Sequence, residues 1–90
     1  MIWRIDWSAR AGNDLQRLSE AIADRIVTKM DWYVVQDNPL YFAKHLTDAE
    51  LGTHRFRIGD YRTICDVHHG QISVLEVLAV RHRKNAYRKA

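Results

Sequence analysis

The sequence predicts an α+β domain in the order β-α-α-β-β-β, a small antiparallel sheet with two N-terminal helices packed on one face. Three observations carry this expectation. Apolar side chains alternate in Ile2 to Trp7, recur every three or four residues from Ala11 to Met30, and alternate again from Arg55 onward. A chain of 90 residues has room for one core, so residues 1–90 are read as a single domain.

The opening IWRIDW puts Trp3, Ile5 and Trp7 on one strand face and Arg4 and Asp6 on the other. From Ser8 the period changes. Ala11, Leu15, Leu18, Ile22, Ile26 and Met30 fall on one helical stripe. Ser8 is a candidate cap for the first helix, and Ser19 for a second after a break near Leu18. The pattern alone is compatible with one long helix or two. Asp37-Asn38-Pro39 ends the helical run, because the residue before proline is driven out of the α region. Leu40 to Leu46 is expected to form a short helix with Phe42 and Leu46 inward.

Three further strands are predicted at Arg55 to Ile58, Tyr61 to Val67 and Ile72 to Val80, joined by Gly59-Asp60 and a turn around His69-Gly70. A two-residue turn at Gly59-Asp60 sets Ile58 opposite Tyr61, Arg57 opposite Arg62 and Phe56 opposite Thr63. A second tight turn would set Val67 opposite Ile72 and Asp66 opposite Ser73. The helix-covered face would then carry Phe56, Ile58, Tyr61, Cys65, Val67, Ile72, Val74, Leu78 and Val80, with Thr63 and Glu76 as polar exceptions.

The reverse face would gather Arg55, Arg57, Arg62 and Arg81 over Ile64, Leu75, Val77 and Ala79, with Ser73 and with Asp66 as its one carboxylate. Like charges directly opposed across two strands destabilise a sheet by a few tenths to about 1 kcal/mol. An external anion is the simplest balance, and guanidinium forks suit phosphate and carboxylate.

Charge distribution agrees. Residues 1–50 hold 6 basic and 8 acidic groups, and residues 51–90 hold 8 basic and 3 acidic, so the positive balance belongs to the second half. The end VRHRKNAYRKA adds Arg83, Lys84, Arg88 and Lys89 as candidate RNA-binding cations, with Tyr87 among them as a candidate base-stacking group.

A single cysteine, Cys65, fits a small core residue in a reducing compartment. No apolar run approaches the length of a membrane span, so a cytoplasmic protein without membrane contact is expected. The five histidines lack ligand spacing, and no Gly-rich phosphate loop occurs, so neither metal nor cofactor is expected.

The order of elements, the run R-F-R-I-G-D-Y-R-T-I from Arg55 to Ile64, and the ending V-x-H-R-x-x-x-Y of Val80, His82, Arg83 and Tyr87 resemble the RelE/ParE superfamily of type II toxin–antitoxin toxins. The likeness is greater to the RelE ribonucleases than to the ParE gyrase poisons. It implies a cognate antitoxin, and a metal-independent endoribonuclease that enters the ribosome and cuts mRNA by attack of a 2′-OH on the adjacent phosphate. Arg55 and Arg57 match two basic strand positions that are often lysines, one of them a proposed general base. Arg62 matches the arginine that holds the phosphate, and Arg81 a cation that stabilises charge at the leaving oxygen. Tyr87 matches a tyrosine that orients or stacks on a base, and Arg83 a partly structural arginine. Arginine departs from lysine at Arg55, since a guanidinium is a poor proton acceptor. DNA gyrase inhibition, or an inactive antitoxin-binding module, are the alternative functions.

Overall fold

A computed structural model describes residues 2–47 and 52–85. Strand β1 (Ile2–Trp7) is followed by helix α1 (Ala9–Gln16), helix α2 (Glu20–Val34), a 3-10 turn (Pro39–Phe42), and strands β2 (Lys44–His45), β3 (His54–Ile58), β4 (Tyr61–His68) and β5 (Ile72–His82). A second 3-10 turn covers Arg83–Asn85. The α+β expectation holds, with both helices on one face of the sheet.

Local chemistry decides for two helices. The Ser8 hydroxyl accepts from the Ala11 N–H at 3.0 Å and the Ser19 hydroxyl from the Ile22 N–H at 3.3 Å. Each satisfies one of the otherwise orphan donors of a first helical turn. Ala11, Ile26 and Met30 are fully buried, and Leu15, Leu18 and Ile22 pack beside them. The stripe read from the sequence therefore faces Phe56, Ile58, Cys65, Leu75 and Val77 across the core.

The strand order is β1-β5-β4-β3-β2, and β1 runs parallel to β5. The sheet is thus mixed: its other pairings are antiparallel, and the chain leaves β1 through the helices and returns by β2, β3 and β4 before β5 lies parallel to it. Where β1 ends, α1 takes over the exposed edge of β5. Ser8 N donates to Val77 O at 2.9 Å, Ser8 Oγ to Leu78 O at 3.1 Å, and Val80 N to the Asp14 carboxylate at 2.9 Å.

The β3–β4 hairpin has the expected register, with Gly59 at φ 57° in the left-handed region its turn requires. The β4–β5 register differs from expectation. Val67 lies opposite Leu75 rather than Ile72, because Ile72 and Ser73 pair with Ile2 and Trp3 of β1 beyond the last β4 partner. A bulge then intervenes: Cys65 faces Val77, whereas Ile64 faces Ala79, leaving Leu78 as the extra residue. Leu75, Val77 and Ser73 consequently turn toward the helices, and Ile72, Val74, Glu76 and Leu78 away from them. These assignments correct those made from the sequence. The two displacements restore parity beyond the bulge, so Val80 and Arg81 lie on the faces first assigned to them.

Thr63 does face the helices and is fully buried, its hydroxyl donating to Met30 Sδ at 3.2 Å. The expected helix at Leu40 to Leu46 is instead the 3-10 turn and β2. Leu46 is buried, but on the reverse side with Ile64 and Ala79, and Phe42 is 40% exposed.

Candidate functional site

The reverse face of β2 to β5 carries two adjoining rows. In one, Arg57, Arg62 and Arg81 are successive cross-strand neighbours on β3, β4 and β5. In the other, Lys44 of β2 faces Arg55, which faces Ile64, which faces Ala79. The apolar pair, with Leu46, makes a small second core that supports this side of the sheet. The helices hold the strands from behind: the Tyr33 hydroxyl donates to the carbonyl of Arg57 at 3.1 Å.

Arg62 is held by its own hairpin. Its Nη1 donates to Gly59 O at 3.0 Å and to Tyr61 O at 2.9 Å, which folds the guanidinium over the hairpin turn. Burial, then the positive charges of Arg57, Arg55 and Arg83, weaken its hold on its proton, and Asp60 opposes them. It stays charged. The direction of the shift reflects burial first and then the cations that converge around it.

A cleft of about 260 Å³ is lined by Phe42, Lys44, Arg55, Arg57 and Arg62. Asp66, the carboxylate first assigned to this face, is engaged outside the cleft: its Oδ1 accepts from the Thr53 N–H at 3.1 Å. Glu76 joins it on the same face, opposite Asp66 in register and 3.1 Å from His68 Nε2. Asp66 and Glu76 thus lie further along β4 and β5 from Arg62 and Arg81, separated from them along the strands.

The sequence-predicted residues divide accordingly. Arg55, Arg57 and Arg62 share the cleft, and Arg81 extends their row onto β5. Arg83 has an anchoring position: its N–H donates to Asp60 O at 2.7 Å and its Nε is 3.8 Å from the Asp60 carboxylate, tying the end of β5 to the β3–β4 turn. Lys84 is exposed in the final 3-10 turn, its N–H on His82 Nδ1 at 3.3 Å. His82 packs edge-on against Tyr61 on the helix side, with ring centroids 5.4 Å apart, away from Arg81. Tyr87, Arg88 and Lys89 lie outside the described residues.

Two lining residues were missed. Lys44 lay in what read as a helical segment, and its pairing with Arg55 depends on a strand of two residues. Phe42 was assigned inward. Its neighbour Lys44 and the basic strand that follows were the available signal, but only the chain reversal brings them together.

Anions with planar or tetrahedral oxygens fit this cleft, and Arg62 is held in place before any ligand arrives. Among the described residues, no cluster of His, Cys, Asp or Glu could hold a metal ion, and no helix is long and apolar enough to cross a membrane.

A convergent arginine face on a five-stranded sheet backed by two helices defines a small cationic α+β protein, and comparison with known proteins gives its family. The model for the ParE toxin of the type II toxin–antitoxin system parDE matches residues 5–87. Toxin RelE of Mycobacterium tuberculosis (strain ATCC 25618 / H37Rv) is 35% identical over 81 residues, covering 90% of this chain and 81% of that protein. A chain of the crystal structure of the toxin–antitoxin complex RelBE2 from Mycobacterium tuberculosis superposes with a TM-score of 0.69 at 25% identity, over 92% of this chain and 100% of that one. The chain belongs to the RelE/ParE superfamily of type II toxin–antitoxin toxins.

Proposed function

We propose that this toxin is held inactive by a cognate antitoxin and, when released, enters the ribosome and cleaves mRNA. The observation that carries the reading is the Arg57–Arg62–Arg81 row beside the Lys44–Arg55 pair, on the side of the sheet that the helices leave open.

In the reaction the 2′-hydroxyl oxygen bonds to the adjacent phosphorus and the bond from phosphorus to the 5′-oxygen breaks. The products are a 2′,3′-cyclic phosphate and a 5′-hydroxyl. Arg62, oriented by Gly59 O and Tyr61 O, holds the phosphate with Arg57. Charge accumulates on the phosphoryl oxygens, where fixed guanidiniums act most strongly in a site shielded from water. Arg81 neutralises the 5′-oxygen as it departs, and that oxygen takes its proton from water.

Arg55 is a poor acceptor for the 2′-hydroxyl proton because a guanidinium does not deprotonate in proteins. Lys44 stands directly across from Arg55 and lines the same cleft. Its amine is assigned to take up that proton, one strand over from the position where the family resemblance implies a lysine. The ribosome supplies much of the in-line positioning, which contributes through orientation rather than new chemistry.

The matching ParE family model favours a second reading, inhibition of DNA gyrase by protein contact. Adding the purified toxin to a cell-free translation reaction and to a gyrase supercoiling reaction separates the two. Blocked translation with unimpaired supercoiling supports the ribonuclease; the reverse supports the gyrase inhibitor. Tight antitoxin binding with neither effect, and no growth arrest on expression, marks an inactive binding module.

A further inference from the structure

Phe42 lies where two concave surfaces meet. On one side is the arginine cleft, which it lines with Lys44, Arg55, Arg57 and Arg62. On the other is a second pocket, of about 280 Å³, lined by Gln36, Asp37, Asn38, Tyr41 and Phe42 itself. The phenyl ring is 40% exposed and Tyr41 is 83% exposed, a large aromatic surface for a chain of this size to leave in water.

The ring is also held in place. Trp32 meets it edge-on at 5.2 Å between centroids, Tyr33 lies tilted at 5.5 Å, and Tyr41 meets it edge-on at 5.4 Å. Tyr33 in turn packs on Phe56 at 4.8 Å and bonds the Arg57 carbonyl. The aromatic ridge is therefore packed against β3, the strand that carries Arg55 and Arg57. Burial of apolar area alone does not require Phe42 to border a cleft lined by four cations.

The polar wall of the second pocket has hydrogen-bonding capacity to spare. Asn38 accepts through Oδ1 from the Leu40 N–H at 3.1 Å, so its amide hydrogens are on the other branch. Gln36 donates through Nε2 to Trp32 O at 2.8 Å, so its carbonyl oxygen is the remaining acceptor. A flat aromatic surface with an amide donor and an amide acceptor at its margin is complementary to an unpaired nucleobase.

We propose that Phe42 and Tyr41, with Gln36 and Asn38, form a base-binding subsite that receives the nucleobase attached to the phosphate held in the arginine cleft. The inference rests on the ribonuclease reading and deepens it. Phosphate and base of one nucleotide are adjacent, as the two concave surfaces are, and Phe42 is the wall they share. The pocket thus positions the strand by a sequence-tolerant stack and lets the amides grade one base against another.

The test is equilibrium binding, by fluorescence anisotropy, of a short unstructured RNA made non-cleavable by 2′-O-methylation, together with the same strand carrying one abasic nucleotide at each position in turn. Phe42→Ala is expected to weaken binding of the intact strand by roughly 5- to 100-fold. One abasic strand is expected to bind Phe42→Ala and wild type equally, and Phe42→Trp is expected to retain wild-type affinity. Phe42→Leu preserves apolar packing without the aromatic face, and is expected to behave as Phe42→Ala does.

Equal losses on intact and all abasic strands, or wild-type affinity in Phe42→Leu, overturn the proposal in favour of a packing role. So does a Phe42→Ala variant that loses antitoxin affinity while binding RNA normally, which makes the ridge a protein contact. If wild type binds the RNA and Arg62→Ala weakens it while Phe42→Ala does not, the subsite alone is refuted. If wild type neither binds RNA nor cleaves mRNA on ribosomes, the ribonuclease reading fails and takes the subsite with it.

Discussion

Arg57 and Arg62 stand directly opposite each other on the β3–β4 hairpin, and among the described residues neither forms an ion pair with a carboxylate. Such a pair opposes folding. Arg57→Ala is therefore expected to leave thermal stability unchanged or raise it by up to about 1 kcal/mol, while abolishing most toxicity. Calorimetry and growth arrest on expression measure the two effects. A destabilised Arg57→Ala would mean that the arginine serves the fold.

Lys44 provides a second prediction, on the reaction itself. If its amine accepts the 2′-hydroxyl proton, cleavage on programmed ribosomes depends on a lysine at this position and not on its charge alone. Lys44→Ala is expected to cost roughly 10²- to 10⁴-fold in single-turnover rate. Lys44→Arg, which keeps the charge, is expected to be as slow. Full activity in Lys44→Arg would assign the residue an electrostatic role only.

Gly52 has φ 121°, and a Cβ there would meet Ile64 Cγ2 at 2.9 Å and the Cys65 carbonyl oxygen at 3.1 Å. The next residue, Thr53, donates its N–H to Cys65 O at 3.0 Å, so the chain cannot easily move away. Gly52→Ala is expected to destabilise by more than about 1 kcal/mol through backbone strain and contact. Chemical denaturation measures the change; an unaffected midpoint would show that the segment before β3 tolerates a shift.

Cys65 is fully buried, and burial pushes its thiol up to about 12. The native protein at pH 8 is expected to resist alkylation and to react fully once unfolded. The folded thiol keeps its proton where the unfolded one loses it. Stability is therefore expected to fall as pH rises from about 9 towards 12. Rapid native alkylation at pH 8 would contradict the packing assigned to β4.

The hairpin of β3 and β4 was legible in the sequence because Gly59-Asp60 fixes a two-residue turn, and turn length fixes register. Arg55, Arg57 and Arg62 could thus be assigned to one face from the turn and the alternation alone. The β4–β5 pairing was not legible. His69-Gly70 resembles a tight turn, but β5 begins by pairing with β1, and only tertiary contact reveals that Ile72 and Ser73 belong there. The bulge at Leu78 carries no glycine or proline to mark it. Arg81 was assigned correctly because two displacements cancelled, which the pattern of residues did not disclose. Phe42 and Lys44 escaped notice for a related reason: the 3-10 turn and β2 are too short to leave a periodic trace.

If the arginine face cleaves RNA on the ribosome, the new RNA ends carry a chemical signature. Primer extension on mRNA from translating ribosomes, with analysis of the new ends, tests it most directly. Wild type is expected to generate breaks ending in a 2′,3′-cyclic phosphate and a 5′-hydroxyl, absent with Arg62→Ala/Arg81→Ala. No breaks above that double variant, or the same breaks from it, would contradict the account.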